Sequence, residues 1–245
     1  MHRILAPSLS SDAAGALVEI DGDEARHAAR VKRLEPGEPV ELLSGAGLVG
    51  IGRHLEAVKL GKTRSNAPGW AIRIRVERVE DRPPPVPALH VRAPAPKGPR
   101  LEGLIEQLSQ IGAAAWGGLS TKRSVVDPRQ GKLDRLERTC QESVKQSGRA
   151  WAMSIGRTVP LAAALDEAGP AVVADASGEP YQPTGDARLT LLVGPEGGWT
   201  DAELDRCRQA GARVCSFGRH VMRIETAAVA AAAIILNAER SRGPS

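Results

Sequence analysis

The period of apolar and polar positions changes near residue 82. Before it, Ile72, Ile74 and Val76 alternate with Arg73, Arg75 and Glu77, the two-residue period of a strand with one buried face. Pro39–Leu43 and Leu48–Leu55 predict further strands, joined through Ser44-Gly45-Ala46-Gly47. One helix is predicted over Asp23–Val31, with Asp21-Gly22 as its start signal. The run Lys59–Gly69 is basic, polar and aperiodic, which predicts a loop. These signals combine into a small β-barrel with one helix. The run Asp81–Pro87, DRPPPVP, then favours an extended, helix-excluding connection. It divides the chain into residues 1–82 and 83–245. A second soft spot, Ala93–Pro99, follows the short apolar stretch Ala88–Val91.

After the boundary, helix and strand signals alternate. Leu101, Leu104, Ile105, Leu108 and Ile111 follow helical spacing up to Gly112. A second helix is predicted over Arg129–Ser147, with Leu133, Leu136, Cys140 and Val144 on one face, and a third over Thr158–Ala168. Ala171–Ala174 and Leu189–Val193 are short apolar runs, as expected of buried parallel strands. Thr200-Asp201-Ala202-Glu203 is a capping box that opens a helix stopping at Gly211. Arg213–Phe217 predicts a strand and Thr226–Glu239 a closing helix. This alternation predicts an α/β domain with a parallel sheet. Ala227–Leu236 is apolar on every face and so must be buried on every face. Its own sheet covers one side only. The other side calls for a second subunit, hence a homodimer, unless the helix sits centrally within one domain.

Composition narrows the partners. At 245 residues with 42% hydrophobic and 25% charged positions the chain is ordinary for a globular protein. Such a length buries roughly 70% of the unfolded surface and needs no disulfide or metal to fold. Aromatic residues make up only 2%, so the expected core is Leu, Val, Ile and Ala, and the scarcity of rings argues against an aromatic platform for single strands. A net charge of +4 permits a nucleic-acid partner without requiring one. Cys140, Cys207 and Cys215 form no CxxC pair, which fits free thiols in a reducing compartment. Met1–Asp12 has no long apolar run, and Ala227–Leu236 is too short to span a bilayer. The expected location is cytoplasmic, without a membrane.

Several motifs fail on inspection. Gly45–Gly50 matches GxGxxG, but LVGIGRHL follows with strand alternation where the dinucleotide fingerprint needs a helix. It is read as a hairpin turn. Gly61-Lys62-Thr63 lacks the first glycine of a P-loop, where Glu56 stands. The five histidines have no ligand spacing, and no GxSxG nucleophile elbow occurs. Two segments survive. Leu191–Thr200, LLVGPEGGWT, takes a buried strand through a Gly/Pro turn into a capped helix, exposing backbone N–H groups. Phe217–Ala227, FGRHVMRIETA, ends a strand in a loop with two Arg and starts the apolar helix with a Glu-Thr pair. Both loops leave the C-terminal ends of strands, where ligands bind open α/β sheets.

LLVGPEGGWTDAEL followed by FGRHVMRIETAAVAAAAI resembles the signature of the SPOUT class of RNA methyltransferases, and within it the RsmE family. KGPRLEGLIEQLSQIGA, TKRSVV, RLERTCQESVKQSGR and HAARVKRLEPGEPVELLSGAG resemble further segments of that family. The resemblance implies a PUA-like RNA-binding barrel, a trefoil-knotted parallel-sheet methyltransferase domain and a homodimer. It also implies S-adenosyl-L-methionine as cofactor. The implied reaction is methylation of uridine N3 in 16S ribosomal RNA of the assembled small subunit. This chain departs from the family at Met222 (usually Leu), Ile224 (usually Thr) and Gln110 (usually Glu). The last departure removes a carboxylate.

By resemblance, Gly194, Pro195, Glu196, Gly197, Gly198, Phe217, Gly218, Val221 and Met222 hold the cofactor. Methyl transfer to N3 requires loss of its proton, and the developing uracil anion needs a cation or donor. Arg223 is the expected cation, with Thr226 as hydrogen-bonding partner. Glu225 either orients Arg223, accepts the proton, or caps the final helix. Gln146 and Arg149 match the family's Gln-Ser-x-Arg and are expected to face RNA. Arg3, Arg26, Arg30, Lys32 and Arg33 are expected phosphate contacts. The competing readings are a SPOUT enzyme acting on another RNA, such as a tRNA 2′-hydroxyl, and a non-catalytic RNA-binding assembly factor.

Overall fold

The computed structural model describes residues 1–62, 68–124 and 130–241. Two compact units emerge: Met1–Pro84 with Val144–Ala152, and Pro85–Ser143 with Met153–Ser245.

The first unit is built from β1 (His2–Leu5), β2 (Leu17–Asp21), α1 (Gly22–Arg26), β3 (Pro39–Leu43), β4 (Leu48–Lys62) and β5 (Pro68–Asp81). Its five strands run in the order β1-β3-β4-β5-β2, antiparallel except for β1 beside β3. The alternation seen in the sequence is realised in β5, where Ile72, Ile74 and Val76 are fully buried. Each contributes about 1.5–3 kcal/mol to the core. The expected helix is shorter, because His27–Lys32 follows α1 as a π-helical turn that ends at Arg33 with φ 52°. Of the run Lys59–Gly69 expected as a loop, Lys59–Lys62 belong to β4 and Pro68–Gly69 to β5, and 63–67 lie outside the described residues.

The Gly45–Gly47 hairpin joins β3 to β4 as expected. Its glycines have a specific cause. A Cβ on Gly47 would lie 2.7 Å from the Trp151 ring, and the Trp151 indole donates to the Arg82 carbonyl at 2.8 Å. The Ala152 N–H donates to the Gly45 carbonyl at 2.8 Å. Residues Val144–Ala152 therefore complete the first unit, and Val144 packs with Leu5, Leu43, Val49 and Ala150.

The second unit has β6 (Ala88–Ala93), α2 (Arg100–Ile111), β7 (Ala115–Ser120), α3 (Gln130–Ser147), β8 (Ser154–Pro160), α4 (Leu161–Leu165), β9 (Ala171–Pro180), β10 (Arg188–Val193), α5 (Asp201–Gln209), β11 (Arg213–Ser216) and α6 (Ile224–Arg240). The six strands pair in parallel in the order β11-β9-β10-β6-β7-β8. One face carries a core of Leu89, Val91, Leu189 and Leu191 against α2, α3 and α6. The other packs Leu119, Val173 and Leu192 against α4 and α5.

The expected helix at Thr158–Ala168 is corrected to the end of β8 followed by the five-residue α4. Thr158 and Val159 are β-branched, and Pro160 fixes the turn of chain just before the first helical residue. The last helix starts at Ile224 rather than Thr226. Along α6, Ala228, Ala231, Ala232 and Ile235 are fully buried while Ile234 is 42% exposed. One chain thus covers one side of the helix and leaves the other in contact with solvent.

Candidate functional site

The two loops singled out in the sequence lie side by side and enclose a cleft of about 210 Å³. The first loop follows β10. The Gly198 N–H donates to the Pro195 carbonyl at 2.8 Å, closing a tight turn, and Gly198 has φ 68°. The turn leads into α5, whose capping box is formed: Thr200 N–H donates to Glu203 Oε2 at 2.9 Å, and Glu203 N–H donates to Thr200 Oγ1 at 3.3 Å. Glu203 also accepts from the Lys122 N–H at 2.9 Å, tying the 121–124 segment to this helix start. Burial works against the Glu203 charge, but these backbone donors outweigh it and hold the carboxyl below its usual range.

Trp199 fixes the loop to the sheet. It is 8% exposed, and its indole donates to the Ala174 carbonyl at 3.1 Å. Gly194 gives it room, since a Cβ there would lie 2.9 Å from the indole nitrogen.

The second loop, 217–223, follows β11. Phe217 stacks on Tyr181 with ring centroids 5.9 Å apart. The Tyr181 hydroxyl donates to Glu239 near the end of α6. Glu239 also accepts from Thr184 N–H at 2.8 Å, Thr184 Oγ1 at 3.2 Å and Gly185 N–H at 2.8 Å. Burial opposes its charge, yet these donors hold its carboxyl below the usual range, while burial and Glu239 push the Tyr181 hydroxyl up.

A third wall was missed by sequence reasoning. Val214 pairs with Val173 but Cys215 pairs with Glu179, so Ala174–Gly178 bulges out of β9. A Cβ on Gly178 would meet the Val214 carbonyl at 2.3 Å, so only glycine lets the chain return to the ladder. The bulge places Ala174, Asp175 and Ala176 on the cleft, a common use of bulges beside binding sites. Asp175 Oδ1 accepts from the Ser177 N–H and hydroxyl at 2.9 and 2.6 Å. Sequence reading ended this strand at Ala174, short of the bulge.

Of the expected cofactor residues, Gly194, Pro195, Glu196, Gly198, Phe217, Gly218, Val221 and Met222 line the cleft. Gly197 does not; its carbonyl accepts from Arg123. Val221 is 97% exposed, so its main chain is what it offers. Ile224 and Ala227 at the start of α6 also line the cleft and were not anticipated.

The expected catalytic trio is not gathered in the cleft. Arg223 is the exposed N-cap of α6, and Thr226 is exposed. Glu225 does not orient Arg223 in this structure. Its Oε1 lies 3.5 Å from Arg100 Nη1, and its buried Oε2 has no hydrogen-bond partner among the described residues. Arg100, the first residue of α2, also lies 3.9 Å from Glu196.

In the first unit Arg26, Arg30, Lys32 and Arg33 are exposed along one short stretch, and the Arg30 guanidinium lies 5.9 Å from the centre of the Trp70 ring. Arg3 is different. It pairs with the buried Glu41 at 2.9 Å and donates to the carbonyls of Lys145 and Gln146 at 3.3 and 2.9 Å. It closes the end of α3. Gln146 is exposed and Arg149 half-buried on the same segment. Of the 121–126 stretch, Val125 and Val126 lie outside the described residues, as does Arg129.

Residues 82–236 match the family model of an RNA methyltransferase domain, and residues 20–59 that of an RNA methyltransferase PUA domain. The ribosomal RNA small subunit methyltransferase E of Synechocystis sp. is 30% identical over 84% of this chain and 68% of its own. That of Mycobacterium bovis is 30% identical over 89% of this chain and 85% of its own. The crystal structure of the Neisseria gonorrhoeae protein of that name, bound to S-adenosyl methionine, superposes with a TM-score of 0.77 at 22% identity, over 96% of both chains. The fold is therefore of the SPOUT type behind a PUA-like sheet, and the chain belongs to the ribosomal RNA small subunit methyltransferase E family.

Proposed function

We propose that this protein transfers a methyl group from S-adenosyl-L-methionine to N3 of a uridine in 16S ribosomal RNA, on the assembled small subunit. The observation that carries the reading is the cleft between the 174–178, 194–199 and 217–222 segments. Its walls combine positions without bulk, Gly194, Gly198, Gly218, Ala174 and Ala176, with the larger apolar faces of Phe217, Met222 and Ile224, which admits a flat heterocycle edge-on to backbone donors and acceptors. Asp175 adds a carboxylate suited to a ribose hydroxyl or an ammonium group. These residues fit the cofactor. Bound there, it supplies a methyl group made electrophilic by a sulfonium sulfur.

The chain's own work is positioning. Trp199 and the Phe217–Tyr181–Glu239 stack hold two walls in place. Arg223, exposed at the N-cap of α6, and Thr226 in its first turn meet RNA arriving at the open side. The N3 proton passes to water. Arg26, Arg30, Lys32 and Arg33 contact phosphates, and Gln146 and Arg149 stand on a segment of the same unit. The open side of α6, with Ala230, Ala233 and Ile234, is covered by a second copy in a homodimer. No helix among the described residues is long and apolar enough to cross a membrane, and a ribosomal substrate places the protein in the cytoplasm.

The test is transfer of labelled methyl to unmodified small subunits, with naked 16S RNA and tRNA in parallel. Label on assembled subunits is the expected result. Label on tRNA alone would replace this reading with that of another SPOUT substrate.

A further inference from the structure

A second cavity of about 290 Å³ adjoins the cleft along Pro195, Glu196 and Ile224 and carries Lys97, Arg100 and Ser124. Its chemistry differs from that of the cleft. Two cations stand among apolar surfaces given by Pro94, Pro96, Pro195 and Ile224. Among the described residues, Arg100 donates only to Glu225, at 3.5 Å. A planar guanidinium has five N–H donors, so the rest of its fork is available to a ligand. Glu225 is 18% exposed at its side chain and holds the guanidinium from the α6 side. Glu196 touches it from the 194–198 turn.

We propose that this cavity is the subsite of the target uracil, and that Arg100 stabilises the uracil anion, with Glu225 as its positioning residue. The inference rests on the methyl-transfer reading above. Enzymes that act on a base take it out of the stack into a pocket of apolar faces and fixed polar groups. Proline and isoleucine faces replace the aromatic platforms this chain lacks. In the reaction the N3–H bond breaks and the proton passes to water. The pair left on N3, its charge shared with O2 and O4, forms the N–C bond as the C–S bond breaks, and that bond's pair stays on sulfur. A carbonyl oxygen beside N3 gains charge and accepts from the guanidinium, as oxyanions match fixed donors, while N3 itself stays open to the methyl donor. The subsite separates two cations: Arg100 faces the base inside the cavity, and Arg223 holds the RNA from outside.

The test compares wild type with R100Q, R100K and E225Q on small subunits, reading kcat, KM, the pH–rate profile and the affinity for S-adenosyl-L-methionine. R100Q is expected to lose roughly 10²–10³ in kcat, the loss typical of one oxyanion donor, with cofactor affinity within about twofold of wild type. Its pH–rate profile moves to higher pH, because the less stabilised anion needs more base. R100K, which keeps the charge without the fork, regains part of the loss. E225Q shifts the profile in the same direction by less, whereas a purely structural role at the start of α6 would lower stability and leave the profile in place. Independently of turnover, 4-thiouridine-substituted small-subunit RNA is expected to crosslink to Pro94–Arg100 or Ser124. An active wild type with R100Q of equal kcat and profile, or crosslinks confined to other segments, overturns the subsite alone. A wild type that methylates no small-subunit uridine overturns the methyl-transfer reading and the subsite with it.

Discussion

Replacing Glu239 by Gln puts the buried carboxylate network to a quantitative test. Glu239 is 6% exposed in the last turn of α6, where the helix dipole disfavours an anion by about 0.3–1 kcal/mol. What holds it there is a set of donors: the Tyr181 hydroxyl, two from Thr184, and the Gly185 N–H. The amide keeps the shape but loses the charge, and its NH₂ confronts backbone N–H groups that need acceptors. Hydrogen bonds to a charged group contribute about 1.5–3 kcal/mol each, and a donor left unsatisfied costs about 1–3 kcal/mol. Partial hydration of the half-exposed 184–185 turn and the relieved dipole reduce the sum, giving a net loss of about 3 kcal/mol. The sign of the pH dependence follows from the depressed carboxyl of Glu239. On acidification the unfolded chain takes up the proton first, so the contribution is complete above the ordinary value of 4.5 and fades as pH falls through the depressed folded value. Urea unfolding should show a constant gap between wild type and E239Q from neutral pH down to the ordinary carboxyl value, narrowing below it. An unchanged unfolding free energy, or a gap that persists at low pH, would refute the argument.

Four further outcomes are expected from other parts of the structure. Cys140, Cys207 and Cys215 are buried, and burial pushes the Cys207 thiol up to about 11 and the Cys215 thiol above its usual value; a thiol reagent at mildly alkaline pH should label none in the native protein and all three in urea. Gly194→Ala forces the Trp199 indole off the Ala174 carbonyl. The cost is about 2–3 kcal/mol for overpacking and one lost hydrogen bond, read by urea unfolding, with weaker cofactor binding by calorimetry. Arg26→Ala with Arg30→Ala should weaken RNA binding and flatten the log K against log salt slope by about 1.5, measured by filter binding over a salt series. Arg3→Ala should leave that slope alone and instead destabilise the first unit by about 2 kcal/mol, since Glu41 then loses its near partner at 2.9 Å.

Periodicity and capping carried much of the fold. The β5 alternation, the Gly112 stop of α2 and the Thr200 capping box are local codes that the structure realises where they stand. Signals that depend on distant partners were unreadable. β7 contains Gly117 and Gly118, which argue against a strand until one sees that a Cβ on them would meet Arg92 and Thr158 at 1.8 and 2.2 Å. The β9 bulge needs the Val214 carbonyl to explain Gly178. The two loops that line the cleft were legible because glycines and a proline cluster in one stretch and because of the family resemblance. The Arg100–Glu225 pair joins residues 125 positions apart, and no spacing rule connects them. Sequence reasoning therefore named Arg223 and left Arg100 unnamed. It also counted Arg3 among RNA contacts, though this side chain closes the end of α3.

The most direct test of the account is calorimetric titration of S-adenosyl-L-methionine into wild type and Gly218→Val. A Cβ at Gly218 meets nothing nearer than Met222 Cε at 3.6 Å, and its φ is not left-handed, so valine fits the backbone while filling the cleft. The account predicts one site per chain in wild type, and a loss of affinity of at least tenfold in the variant with an unchanged urea midpoint. Absence of binding in wild type, or equal affinity in both proteins, would contradict the assignment of this cleft to the cofactor.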